Sequence, residues 1–163
     1  MTKIKLCGLS RLEDIQAANR LRPDYVGFVF ASKSCRYVTP TQAKTLKEVL
    51  DEGIQAVGVF VDAPVEQVAS LLNRGVIDVA QLHGREDDGY IQILRQQTER
   101  PIWQAFRVAH VGDLAPAQTS AADCILLDSG AGTGKVFDWD LLQYIHRPYF
   151  LAGGLDTANV TDA

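Results

Sequence analysis

The 163-residue chain is poor in the residues that announce several functional classes. Its three cysteines, Cys7, Cys35 and Cys124, lie far apart and lack metal-ligand spacing. They suggest neither a disulfide scaffold nor a zinc site, and a reduced, cytoplasmic protein is the simple expectation. The three histidines, His83, His110 and His146, are scattered, so no metal motif can be assembled from them. No apolar run approaches the length of a membrane span, and the N-terminal MTKIKLCGLS lacks the apolar core of a secretory signal. Basic charge is not in excess, since 16 Lys and Arg against 20 Asp and Glu leave a net charge of -4. That balance argues against nucleic acid as the main partner but leaves room for a small anion held by local cations. Linkers and low-complexity tracts are absent, so residues 1–163 read as one domain.

What the chain has is a regular series of short apolar runs: KIKLC, DYVGFVF, QAVGVFV, DVAQL, PIWQAF, DCILLD and PYFLAGG. Several are continuous rather than alternating, as strands covered on both faces are. Between them lie segments of helical spacing with start and stop signals. Ser10 with Glu13, and Thr39-Pro40 with Gln42, read as capping boxes, and Gly75 closes PVEQVASLLNR as a C-terminal cap. The segment VAHVGDLAPAQTSA is weakly helical and is interrupted by Pro116. The final LAGGLDTANVTDA reads as a strand end, a Gly-Gly turn and the opening of a helix. Seven strands alternating with helices predict a parallel α/β sheet. A doubly wound sheet would carry a glycine fingerprint after its first strand, but CGLSRLED has none. A (β/α)8-type barrel spreads its chemistry over many strand ends, where Cys7, Arg36, His83, Asp128 and Gly153-Gly154 all fall. The expected fold is therefore a barrel of about seven strands lacking the eighth strand and helix, with an open seam.

Each strand-end residue has an ordinary reading beside a chemical one. Cys7 could be a small buried hydrophobe, although Gly8 allows close approach of a ligand. Asp128 could cap a loop or act as a general acid at the end of an apolar strand. Arg36 could be a solvated loop residue or a planar fork for a carboxylate. His83, in QLHG, could be a satisfied strand end or a pocket residue. The stretch GAGTGK, residues 130–135, resembles a nucleotide-binding loop but is one residue short, and Val136 stands where a magnesium-binding Ser or Thr belongs. A glycine loop placing Lys135 near an anionic ligand is the better reading.

Taken together, KIKLCGLS, DYVGFVFASKSCRYVTP, VGVFVDAP, DVAQLHGRED, ILLDSGAGTGKVFDW and LAGGLDTANV resemble the phosphoribosylanthranilate isomerases of tryptophan biosynthesis. They occur in family order along essentially the whole chain. The resemblance implies a cofactor-independent, metal-free Amadori rearrangement of a small phosphorylated substrate. By the same resemblance Asp128 is the general acid, Cys7 the general base, and Arg36 the partner of the anthranilate carboxylate. His83, Lys135, Gly153 and Gly154 would bind substrate. A free thiol titrates at about 8.5, so a cysteine base working near neutrality needs a neighbouring positive charge, for which Arg36 is the candidate. The family's eighth strand and its Asp-x-Ser-Ser-Gly segment are not in this sequence. Its absence predicts a weakened phosphate site and self-association through the open edge. A non-catalytic barrel that keeps only the fold is the alternative.

Overall fold

The computed structural model describes residues 2–130 and 137–161. It divides into two compact units, Met1–Ile102 and Trp103–Ala163.

The first unit carries β1 (Lys5–Cys7), α1 (Leu12–Leu21), β2 (Tyr25–Val29), α2 (Pro40–Glu48), β3 (Gln55–Phe60), α3 (Val65–Asn73), β4 (Val79–Leu82) and α4 (Asp88–Arg95). Its strands pair in parallel in chain order, with Cys7 opposite Gly27, Gly27 opposite Val57, and Val57 opposite Val79. All five residues of β2 and all four of β4 are buried, as strands covered on both faces must be. One face lies under the apolar stripes of the helices, including Ile15, Ala18, Ala43, Leu46, Leu71, Leu72, Ile91 and Leu94. Phe30 and Phe60 stack with centroids 5.1 Å apart. Asp78 joins three elements, since its carboxylate pairs with Lys47 of α2 and accepts the Ala56 N–H of β3 at 2.8 Å.

Local signals explain where the helices begin and end. Thr39 Oγ1 accepts the Gln42 N–H at 3.2 Å and Gln42 Oε1 accepts the Thr39 N–H at 2.9 Å, with Pro40 at the first helical position. Gly75, at φ +69°, donates to Leu72 O while Val76 donates to Leu71 O, the paired bonds of a left-handed helix stop. At α1 the expected box is shifted by one residue. Arg11 holds the cap position, and Asp14 rather than Glu13 reaches back, accepting the N–H groups of Ser10 and Arg11 at 3.1 and 3.0 Å. The shorter aspartate side chain spans that turn and also pairs with the Arg11 guanidinium at 2.7 Å.

The second unit carries all but the first residue of β5 (Ile102–Arg107), then α5 (Leu114–Thr119), β6 (Cys124–Asp128) and β7 (Tyr149–Ala152), again parallel and in chain order. Short 3₁₀ turns cover Val111–Asp113 and Trp139–Tyr144. Its core joins Val108, Leu114, Ala117, Ile125, Leu127, Phe137 and Ile145, with Trp139 packed against it. Pro116 does not interrupt α5, because it sits in the first turn, where a helix has no use for the missing N–H. After β7 the backbone forms a turn over residues 157–161. There Asp156 O accepts the Val160 N–H at 3.0 Å and Asn159 Oδ1 accepts the Asp156 N–H at 2.9 Å.

Candidate active site

In the first unit the candidate residues gather at the carboxyl ends of β1, β2 and β4. Cys7 is the last residue of β1 and its thiol is free and exposed. Beneath it lies Gly27, where a Cβ would stand 2.7 Å from Cys7 Sγ and 3.1 Å from Cys7 Cα, so a side chain there would push the thiol away. Gly8 then turns the chain at φ +86°, and both Gly8 and Leu9 donate to Gly27 O. The stem and guanidinium of Arg36 lie against Gly8 where a Cβ would otherwise be. Arg36 itself stands on the loop after β2, held by its N–H to Ser34 Oγ at 3.1 Å and by the bridge between Val29 and Tyr37. Its Nη1 makes a long contact of 3.5 Å to the Cys7 carbonyl, so this arginine addresses the backbone of Cys7 and not its sulfur.

The cation at the sulfur is Lys5, whose Nζ lies 3.2 Å from Cys7 Sγ. The same ammonium donates to Gln81 Oε1 at 2.7 Å, and Gln81 Nε2 lies 2.9 Å from His83 Nδ1. Lys5 and Gln81 sit on strands separated by two others. Side chains stand roughly perpendicular to a sheet, so tips that meet from such distant strands require a concave face. His83 follows β4 and is tied to β3 by its N–H to Phe60 O at 2.8 Å. The next turn is locked by buried Glu86, which accepts the N–H groups of Asp62 and Gly84 at 2.8 and 2.7 Å. Gly84 is required there, because a Cβ would meet Asp62 N at 2.6 Å. The Arg85 N–H, bonded to the Asp62 carboxylate at 2.7 Å, holds that carboxyl below its ordinary range.

In the second unit Asp128 ends β6 opposite Ala152 of β7. Its Oδ1 accepts the Gly130 N–H at 3.0 Å, which fixes one carboxylate oxygen toward the following loop. Gly153, at φ +84°, packs so tightly on Asp128 Oδ1 and Ser129 Oγ that no Cβ fits. Gly154 follows at φ +69°, and its carbonyl accepts Asn159 Nδ2 at 2.9 Å. Arg107 ends β5 opposite Asp128, and its guanidinium fills the space beside Gly130. Ser129 Oγ is buried and without a hydrogen-bond partner among the described residues. Lys135 and most of the GAGTGK stretch lie outside the described residues.

Cys7, Arg36 and His83 are thus brought together in one unit, and Asp128 with Gly153 in the other. Reading the residues one at a time misses Lys5, Gln81, Gly27 and Arg107. The signals were there: Lys5 and Cys7 are two apart on one strand, hence on one face, as are Gln81 and His83. Gln81 is also a polar residue, 1% exposed, inside an otherwise apolar strand. Among the described residues no three His, Cys, Asp or Glu side chains gather as a metal-binding group, and no helix is long and apolar enough to cross a membrane.

Comparison with known proteins places this arrangement. Residues 4–163 match the family model of N-(5'-phosphoribosyl)anthranilate isomerase. An isomerase of that name from Clostridium kluyveri is 46% identical, over all of this chain and 81% of its own length. The crystal structure of phosphoribosyl anthranilate isomerase from Thermotoga maritima superposes with a TM-score of 0.90 at 31% identity, covering 99% of this chain and 82% of that one. A further structure of such an isomerase, in complex with reduced 1-(o-carboxyphenylamino)-1-deoxyribulose 5-phosphate, gives a TM-score of 0.88 at 32% identity over 99% of this chain and 80% of its own. The parallel α/β architecture is accordingly of the TIM-barrel type. Profile, relatives and folds converge, and the chain belongs to the N-(5'-phosphoribosyl)anthranilate isomerase family.

Proposed function

We propose that the chain carries out the family's isomerisation as a cofactor-independent aldose–ketose rearrangement driven by general acid and base groups. Asp128 gives a proton to the ribose ring oxygen of N-(5-phosphoribosyl)anthranilate, and the C1–O bond breaks to leave a protonated Schiff base. Cys7 removes the C2 proton, and the C2–H electron pair forms the enolamine double bond while the imine nitrogen takes up the C1=N pair. Tautomerisation then gives 1-(2-carboxyphenylamino)-1-deoxyribulose 5-phosphate. Arg36 receives the anthranilate carboxylate through its planar fork, and His83 contacts the substrate beside it. Gly153 and Gly154 turn the backbone toward the phosphate, aided by Lys135. The observation that carries this reading is the exposed Cys7 thiol at a strand end, with an ammonium on its sulfur and Arg36 against the following glycine. The bound carboxyphenylamino-deoxyribulose phosphate of the related structure supports the substrate class.

The test follows loss of substrate fluorescence in the purified chain beside Cys7→Ala and Asp128→Asn. Turnover that both substitutions abolish is the expected result. Full turnover in either variant overturns the role given to that residue.

We propose further that the two units belong to one domain, as the match across 99% of a single related chain supports, and that the protein works in the cytoplasm. Self-association through β1 and β7 is part of the same reading. These strands carry no fully buried residue, whereas every residue of β2 is buried.

A further inference from the structure

From the contacts around Cys7 we infer that Lys5 is the positioning residue that holds and activates the Cys7 sulfur through a direct ammonium contact, and that Gln81 locks Lys5 in place while setting the tautomer of His83. The inference rests on Cys7 acting as the base, and it supplies the charge that such a base requires.

The geometry permits one consistent assignment of donors. An ammonium has only N–H groups to give, so Lys5 donates to both Cys7 Sγ, at 3.2 Å, and Gln81 Oε1, at 2.7 Å. That fixes which end of the Gln81 amide is oxygen. Its Nε2, a donor only, then faces His83 Nδ1 at 2.9 Å. Nδ1 must accept through its lone pair, so the imidazole proton sits on Nε2. One lysine therefore fixes the state of two residues at the mouth of the site. Gln81 is 1% exposed, so its amide cannot turn to water as an alternative. Arg36 is not a substitute for the lysine, because its guanidinium reaches the Cys7 carbonyl and not the sulfur. A cation in hydrogen-bond contact favours the thiolate over the thiol, and the thiolate is the form that takes a proton or an alkyl group.

The experiment alkylates the folded chain with iodoacetamide at neutral pH, following the Cys7 and Cys35 peptides separately by mass spectrometry. Cys35, exposed on the loop after β2, is the internal control. Lys5→Met is expected to slow Cys7 alkylation on the order of tenfold. Cys35 is unaffected, and Lys5→Arg restores most of the Cys7 rate. In the same variants kcat falls with the alkylation rate while KM changes little, because Lys5 acts through the sulfur and not on the substrate. Unchanged Cys7 alkylation in a folded Lys5→Met chain overturns the inference, as does a loss confined to KM. Should Cys7→Ala keep full turnover, the base reading fails by itself, and the alkylation ratio still decides what Lys5 does to the sulfur.

Discussion

At the scale of single residues, the site is shaped as much by what is missing as by what reacts. Gly27 and Gly153 each leave an empty Cβ position against a residue proposed to take part in the chemistry, one under Cys7 and one against Asp128. Gly27 has no positive φ, so conformational freedom is not the reason for it; close approach of the neighbouring strand is. In Gly27→Ala the new methyl would sit 2.7 Å from Cys7 Sγ, and the Cys7 Cα at 3.1 Å leaves the strand no room to yield. The thiol must rotate off Lys5. The expected outcome is a fall in kcat of at least roughly tenfold with KM nearly constant, since a small misplacement of a reacting group is costly. Steady-state kinetics check it, and a wild-type kcat in Gly27→Ala would show that the base tolerates displacement.

At the scale of elements, helix caps tie the strand ends to their following helices. The α1 cap lies a few residues beyond Cys7, and Asp14 alone accepts two backbone N–H groups and the Arg11 guanidinium there. The Arg11 hydrogen bond first, and the Ser10 N–H after it, bring the Asp14 carboxyl from 3.8 down to about 2. A carboxyl depressed in the folded state stabilises fully above its unfolded value and loses that contribution as the pH falls through its folded one. Asp14→Ala should therefore cost about 1 kcal/mol at neutral pH. Much of the guanidinium is solvated, which limits what the ion pair adds. The gap between variant and parent should close as the pH drops from 3.8 through about 2. Urea unfolding at a series of pH values measures this, and a gap that persists at the acid end would assign the loss to packing instead of charge.

At the scale of the whole molecule, the alternation of apolar runs and capped helical segments already carried the strand order, because continuous apolar strands separated by helices have few parallel arrangements open to them. Every one of the seven runs became a strand within a few residues of its place. The strand-end residues were legible for the same reason, since a polar side chain closing an apolar run stands out. Spacing put Lys5 on the face of Cys7 and Gln81 on that of His83, but their contact was not legible, because it joins residues 76 apart that only a concave sheet brings together. The α1 cap is shifted by one residue because two adjacent acids, Glu13 and Asp14, can each close such a box, and it is Asp14 that accepts the Ser10 and Arg11 N–H groups. The strands β1 and β7 carry the last expectation. Ile4, beside β1, is 57% exposed, and Tyr149, opening β7, is 38% exposed, so both put apolar surface on strands with little burial of their own. Exposed strand edges recruit partners, and charge placed on them prevents it. The 163-residue chain is therefore expected to sediment as a concentration-dependent oligomer, and Ile4→Lys with Tyr149→Lys to shift it toward the monomer without loss of helical signal. A parent chain that remains a monomer across the whole concentration range would mean that β1 and β7 satisfy their edges within one molecule.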